Sequence, residues 1–258
     1  MPPPNIETQK IELPKIDPWA KLRLATRARI GLGRAGDAMP ITDVLDFQLA
    51  HAKARDAVHT RLDTAHLHAQ IPGAIEVKSA APSREVYLRR PDLGRRLHED
   101  CESLLAPGHY DVAFVIADGL SATAVERHAI PVLNATRARL QEFNIAPVVI
   151  ATQARVAIGD DIGQALGAKL CAIFIGERPG LTVSESLGIY LTYAPLRGAK
   201  DSGRNCISNI HTQGGLSYES AADMLSWLVR EALARKLTGV GLKEASGLET
   251  SRATGVLS

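Results

Sequence analysis

The chain has 258 residues, 45% hydrophobic and 22% charged, with a formal net charge of +2, which suits a globular protein of one large domain, or one with a smaller companion, and gives no electrostatic footprint for nucleic acid. Aromatic residues make up only 4%, without the basic interleaving of a single-strand binder, and no apolar run approaches the roughly 18 residues of a membrane span. The three cysteines, Cys101, Cys171 and Cys206, have neither an even count nor C-x-x-C spacing, which argues against a disulfide framework or a zinc site and for a reducing compartment.

Residues 1–18 carry Pro2, Pro3, Pro4, Pro14 and Pro18 and read as an irregular tail, with no basic segment leading an apolar one as a secretory signal requires. Residues 19–108 read as mostly helical. Early in them stands GLGRAG, at positions 31–36, which fits G-x-G-x-x-G. That fingerprint works only where a strand feeds the glycines and a helix leaves them. Here the basic KLRLATRARI precedes it and Pro40 blocks the exit, while Asp56, at the distance of a ribose partner, sits in a helical stretch. A glycine-rich turn is expected instead, with Arg27, Arg29 and Arg34 available to a partner chain or an anionic group.

PITDVLDFQLAHAKARDAVHTRLD predicts a helix capped by Thr42 or Asp43, with Val44, Leu45, Leu49, Ala52 and Val58 on one face. His59, Asp63 and His66 are spaced i, i+4, i+7, as a metal face would be; such spacings arise easily by chance, and a solvated face is the expectation. REVYLRR reads as a short strand. RPDLGRRLHEDCESLL reads as a helix opening near Pro91, with Leu93, Leu97, Cys101, Leu104 and Leu105 inward.

Residues 109–243 alternate strand and helix. DVAFVIADG, APVVIAT, KLCAIFIGERPG and SLGIYLTYAP are strand-like; SATAVERHAIPVLNATRARLQEF, with Pro131 as a break or kink, GDDIGQALG and SYESAADMLSWLVREALARKL are helical. Near-continuous apolar strands between helices predict an α/β fold, a Rossmann-like, mostly parallel sheet with helices on both faces, preceded by the mostly helical N-terminal region. Residues 244–258 read as a frayed end.

Open α/β sheets bind ligands at the carboxyl ends of their strands. Asp118 and Ser121, after the first strand, read equally as turn and helix cap or as site. Val156 follows the second strand, Glu177 and Arg178 the third. SGRNCISNIHTQGG, read as the segment after the fourth, adds Asn205, Cys206, Ser208, Asn209 and His211. The set is rich in hydrogen-bonding groups. Cys206 with His211 as base is the only nucleophile pair it offers, and no family signature supports it. A surface for a large polar cofactor fits better than acid–base chemistry.

YLRRPDLGRRL, DVAFVIADGLSATAV, ARVAIGDDIGQALGAKLCAIFIGERPGL, SESLGIYLTYAP and RNCISNIH together resemble the light chains of ethanolamine ammonia-lyases, over roughly residues 20–243. The resemblance implies one subunit of an adenosylcobalamin-dependent lyase that turns ethanolamine into acetaldehyde and ammonia by a radical route. It implies a large TIM-barrel subunit holding ethanolamine, cobalamin between the two chains, an assembly of six large and six small chains, and inactivity of the small chain alone. Cobalamin contacts then fall on Val156, Glu177 and Cys206. D-x-H-x-x-G, which supplies a protein histidine to cobalt in other cobalamin folds, is absent, so the cofactor's own base is expected to stay on cobalt. The proline-rich leader lacks a clear amphipathic helix for encapsulation; the cytoplasm is the expected location and a bacterial microcompartment the alternative. Two other readings stand beside this one, a stand-alone nucleotide-dependent enzyme and a purely structural subunit. Arg178 is left either as an ion pair setting its loop or as a partner contact.

Overall fold

The computed structural model describes residues 17–242; the rest of the proline-rich leader and the C-terminal tail lie outside the described residues. The chain packs as two compact units, one ending at Gln48 and the other beginning at Leu49.

In the first unit, α1 (Ala20–Ala25) is followed by irregular chain, and α2 (Ile41–His59) begins directly after Pro40. The glycine segment is a turn: Gly31, Gly33 and Gly36 all have positive φ, and Ala35 bridges Ala38. That left-handed backbone is what glycine permits. Arg23 ties the turn down by donating to the carbonyl of Gly31 at 2.6 Å. No strand leads into the glycines, so the context of a dinucleotide fingerprint is missing. Trp19, Leu22, Leu24, Met39, Ile41, Leu45 and Phe47 are all exposed. The apolar face expected of α2 is thus largely exposed among the described residues, and Ala57 is the one buried residue of the helix.

The second unit continues through α3 (Thr64–Gln70), whose cap Asp63 accepts from the His66 backbone N–H at 3.0 Å. His59 ends one helix and His66 lies in the next, so the expected spacing never forms a single face. Among the described residues no group of three His, Cys, Asp or Glu side chains could hold a metal ion. After β1 (Ile75–Lys78), REVYLRR is a helix, α4 (Arg84–Arg89), and not the expected strand. Ser83 caps it by accepting from Val86 N–H, and Glu85 sits in the first turn, where a negative charge meets the positive end of the helix.

The helix expected over RPDLGRRLHEDCESLL is two short 3₁₀ segments, Leu93–Arg95 and Glu99–Leu104. The chain between them is drawn out because it pairs with the end of β1: Ala80 N–H donates to Arg96 O at 2.9 Å and His98 N–H to Lys78 O at 3.0 Å. Leu97, Cys101 and Leu105 are still buried, while Leu104 is exposed.

The α/β core then follows as β2 (Val112–Ala117), α5 (Ala122–Arg139), β3 (Val149–Thr152), α6 (Ile158–Leu166), β4 (Leu170–Gly176), β5 (Leu187–Tyr193), β6 (Arg204–Ile210) and α7 (Tyr218–Arg235). Pro131 lies inside α5 without ending it. The sheet runs β1-β3-β2-β4-β5-β6, parallel from β1 to β4 and antiparallel at β5 and β6. β2 and β4 are buried along their whole length, as strands covered on both faces must be. One face, with Phe114, Ile116, Phe174, Ile189 and Ile207, packs against α5 and α7. The other, with Val115, Ala151, Cys171 and Ile173, packs against Ile158 and Ile162 of α6.

The α/β class with helices on both faces stands as expected. Two details differ. The link from β4 to β5 holds no helix, and a parallel return needs a crossover of a dozen or more residues, usually helical; β5 therefore turns straight back. RNCISNI is not a loop after the last strand but a strand itself, β6.

Candidate functional site

The reversal of β5 sets the site. It brings the end of β4, the start of β5 and the end of β6 to one edge of the sheet, since Gly176 pairs with Leu187 and Leu187 with Ile210. Glu177 leaves β4 there. Its carboxylate folds back over Gly188: a Cβ at that position would stand 2.9 Å from Glu177 Oε1. A residue with no side chain makes the fold-back possible.

Two donors fix the carboxylate. Ser186 Oγ donates to Glu177 Oε2 at 2.5 Å, and Asn209 N–H to the same oxygen at 3.3 Å. The second donor exists because β6 is bulged against β5: the register shifts between Leu187 and Ile189, and Asn209 takes φ +62°. Asparagine is among the residues most tolerant of that conformation, and bulges re-aim groups beside functional sites.

Along the same face of β5, two residues beyond Gly188, stands Tyr190, and Cys206 lies directly opposite it on β6. Their side chains are cross-strand neighbours. Burial pushes the Tyr190 hydroxyl well above its ordinary range, with Cys206 and Glu177 adding to the rise, so it stays a donor. The Cys206 thiol is also raised, by partial desolvation first and by the charge of Glu177, against the pull of the neighbouring Tyr190 hydroxyl. A raised thiol is a poor nucleophile at neutral pH. His211 does not serve Cys206 as a base: its Nε2 pairs with Asn209 Oδ1 at 2.9 Å and its Nδ1 accepts from Gln213 N–H.

Val156, from the loop between β3 and α6, lines one cavity of about 550 Å³ together with Tyr190, Arg155, Arg178 and Arg204. The loop carrying it is locked from below. Asp118, buried at the end of β2, accepts from Gln153 N–H and Ala154 N–H, both at 2.8 Å, and from Arg84 Nη1 at 3.1 Å. Tyr87 donates to the carbonyls of Gly119 at 2.8 Å and Ala154 at 3.0 Å. Asp118 therefore holds this loop, and Ser121 caps α5, accepting from Ala124 N–H, the turn-and-cap side of their two readings.

Val156, Glu177 and Cys206 thus come together around Tyr190, a residue that the sequence reading did not single out. Asn205 does not join them; its side chain holds the carbonyl of Leu242 at 2.6 Å and the N–H of Gly239 at 2.8 Å. Arg178 is exposed and has no ion-pair partner among the described residues, which leaves the loop-setting pair without support.

The result is an open shelf: α6 covers the parallel strands on this face, and beyond it Tyr190 is half-buried and Cys206 exposed. The shelf offers apolar contact at Val156 and the Tyr190 ring, and a rigid acceptor at Glu177. It offers no activated nucleophile.

The family model described as ethanolamine ammonia-lyase light chain (EutC) matches residues 16–243. A protein of Pseudomonas syringae pv. tomato named ethanolamine ammonia-lyase small subunit is 49% identical over 246 residues, covering 91% of this chain and 85% of its own. Proteins of the same name from Ralstonia nicotianae and Pseudomonas putida KT2440 are 49% identical over 242 residues, covering 89% of both chains, and 50% identical over 240 residues, covering 88% of both. A match across nearly the whole described chain, with half its residues identical to those of named small subunits, shows that the chain belongs to the ethanolamine ammonia-lyase light-chain family.

Proposed function

We propose that this chain closes one side of an adenosylcobalamin site in a two-chain ethanolamine ammonia-lyase, with Val156, Glu177 and Cys206 as its contacts and Tyr190 between them. The observation that carries the reading is the shelf: three separate segments meet on a sheet face that no described helix covers. A corrin is a broad apolar disc rimmed with amides. Val156 and the Tyr190 ring suit the disc, and Glu177, an acceptor held in place by Ser186 and Asn209, suits an amide N–H. When bound, the cofactor supplies a cobalt–carbon bond whose homolysis starts the radical conversion of ethanolamine to acetaldehyde and ammonia.

This chain's part is to bind, orient and exclude water. At the shelf the Cys206 thiol is held protonated and His211 is engaged elsewhere, so the shelf supplies no activated nucleophile and no base to serve one. Ethanolamine then belongs to a large TIM-barrel subunit, and the chain alone is inert. The exposed Trp19, Leu22, Leu45 and Phe47 are the kind of apolar surface that a partner chain covers. An assembly of six large and six small chains in the cytoplasm or a microcompartment completes the reading. No described helix is long and apolar enough to cross a membrane.

Co-expression with the large subunit tests it. The two chains are expected to purify together and to retain added corrinoid through gel filtration, with lyase activity only in the pair. Lyase activity in the isolated small chain, or a pair that never retains corrinoid, overturns the proposal. A purely structural role is separated by Glu177→Gln, which exchanges a charged acceptor for a neutral one and is expected to weaken corrinoid binding about tenfold with the pair intact. Unchanged affinity and turnover favour the structural reading.

A further inference from the structure

The cavity beside the shelf is lined by four arginines, Arg95, Arg155, Arg178 and Arg204, and by one carboxylate, Asp201. Two of these cations are matched. Arg204 is paired to the buried Asp160 through two hydrogen bonds of 2.6 and 2.7 Å, and Arg95 stands 3.7 Å from Asp201.

The other two are not. The Arg155 guanidinium lies over the Tyr87 ring at 4.5 Å from its centroid, its Nε is buried without a hydrogen-bond partner, and no carboxylate pairs with it among the described residues. Arg178, on the loop after β4, is likewise without an ion-pair or hydrogen-bond partner among them. Two uncompensated guanidinium groups on one cavity call for an anion, and their planar forks match the paired oxygens of a phosphate.

We infer that Arg155 and Arg178 form a phosphodiester site in this cavity, and that the phosphodiester is the one in the nucleotide tail of the cofactor. The inference rests on the cofactor reading above. It adds a charge-based contact to a shelf otherwise built for an apolar disc. The same cavity wall carries Val156 and Tyr190, so a ligand lying on the shelf would carry its anion a short way past them. It also gives Arg178 a role that its lack of a carboxylate partner leaves open.

The tail can be removed chemically, so the inference is testable apart from turnover. Binding of cobalamin and of cobinamide, which lacks the nucleotide and its phosphate, is measured by absorption and calorimetry on the two-chain complex. Arg178→Gln, at an exposed loop position, is expected to lower cobalamin affinity roughly tenfold and leave cobinamide affinity unchanged, as loss of one charge-assisted contact would. Arg178→Lys should restore part of the loss. Arg155→Gln should act in the same direction, but Arg155 packs on Tyr87, so Arg178 decides the case.

Inorganic phosphate should compete with cobalamin in the wild-type complex and not with cobinamide. Equal losses for both corrinoids, or no loss for either, overturn the inference while leaving the cofactor reading intact. Phosphate binding that the Arg178 variant weakens without changing cobalamin affinity assigns the site to a free anion, and overturns it too. A wild-type complex that binds neither corrinoid refutes the cofactor reading itself, and this inference with it.

Discussion

Replacing Arg204 with methionine will lower the stability of the chain by about 3–5 kcal/mol, the usual consequence of stranding one member of a buried ion pair. The pair is tight. Both nitrogens of the guanidinium fork meet Asp160, at 2.6 and 2.7 Å, with side chains 2% and 1% exposed. Arg204 also donates to Thr192 Oγ1 at 2.8 Å and to Asp201 at 3.1 Å. It therefore clips the first turn of α6 to the beginning of β6, across β5. The substitution leaves Asp160 charged and dry. The double variant Arg204→Met with Asp160→Leu should recover most of the loss, because the desolvation cost goes with the pair. Urea titration of the full chain reads both: the midpoint should fall for the single variant at unchanged slope and return for the double. A single-variant loss below about 1 kcal/mol, the scale of a surface pair, would sink the argument.

A comparable loss, again about 3–5 kcal/mol, is expected for Asp118→Asn, with a second signature nearer the site. The carboxylate accepts two backbone N–H groups and one guanidinium nitrogen. An amide has one acceptor oxygen, so at least one of these donors is abandoned or meets an N–H₂ group. Arg84, 3% exposed and with Nη2 already without a partner, then loses its counter-charge. Since the two backbone donors are Gln153 and Ala154, the damage falls on the loop that delivers Arg155 and Val156. Amide hydrogen exchange at those two positions should accelerate well beyond the change in helix α7. Equal acceleration everywhere would mean global destabilisation only, and unchanged protection would show that Asp118 does not hold the loop.

The legible and illegible parts of this chain divide on physical grounds. Continuous apolar runs such as Val112–Ala117 announce strands covered on both faces, and these were readable with their helices. LGIYLTY was readable only as a strand, although it carries more. Leu187, Ile189 and Leu191 alternate with Gly188, Tyr190 and Thr192, the period-two pattern of a strand with one open face. That alternation was the available sign of both the antiparallel turn and the shelf, and it would have pointed to Tyr190. RNCISNI lacks such a pattern because a bulge interrupts it, so its sequence reads as loop where the chain forms β6.

The three expected contact residues, Val156, Glu177 and Cys206, came from family likeness, and their meeting around Tyr190 is a fact of pairing that spacing cannot express. REVYLRR and RPDLGRRLHEDCESLL misled for a local reason. Each is short enough for a cap, or for pairing with the end of β1, to override its pattern.

The bulge that aims Asn209 at Glu177 has a further consequence, for the chain before it meets any partner. β6 is an outer strand of the sheet, and a long, flat outer strand is a template on which a second molecule can add. This one is blunted at both ends. Asn205 staples the segment at Gly239–Leu242 against its beginning, and the bulge bends its last residues out of straight register. A newly made small chain, with apolar residues still bare in its first unit, is thereby steered away from strand-to-strand aggregation, and the irregularity that shapes the shelf also protects solubility.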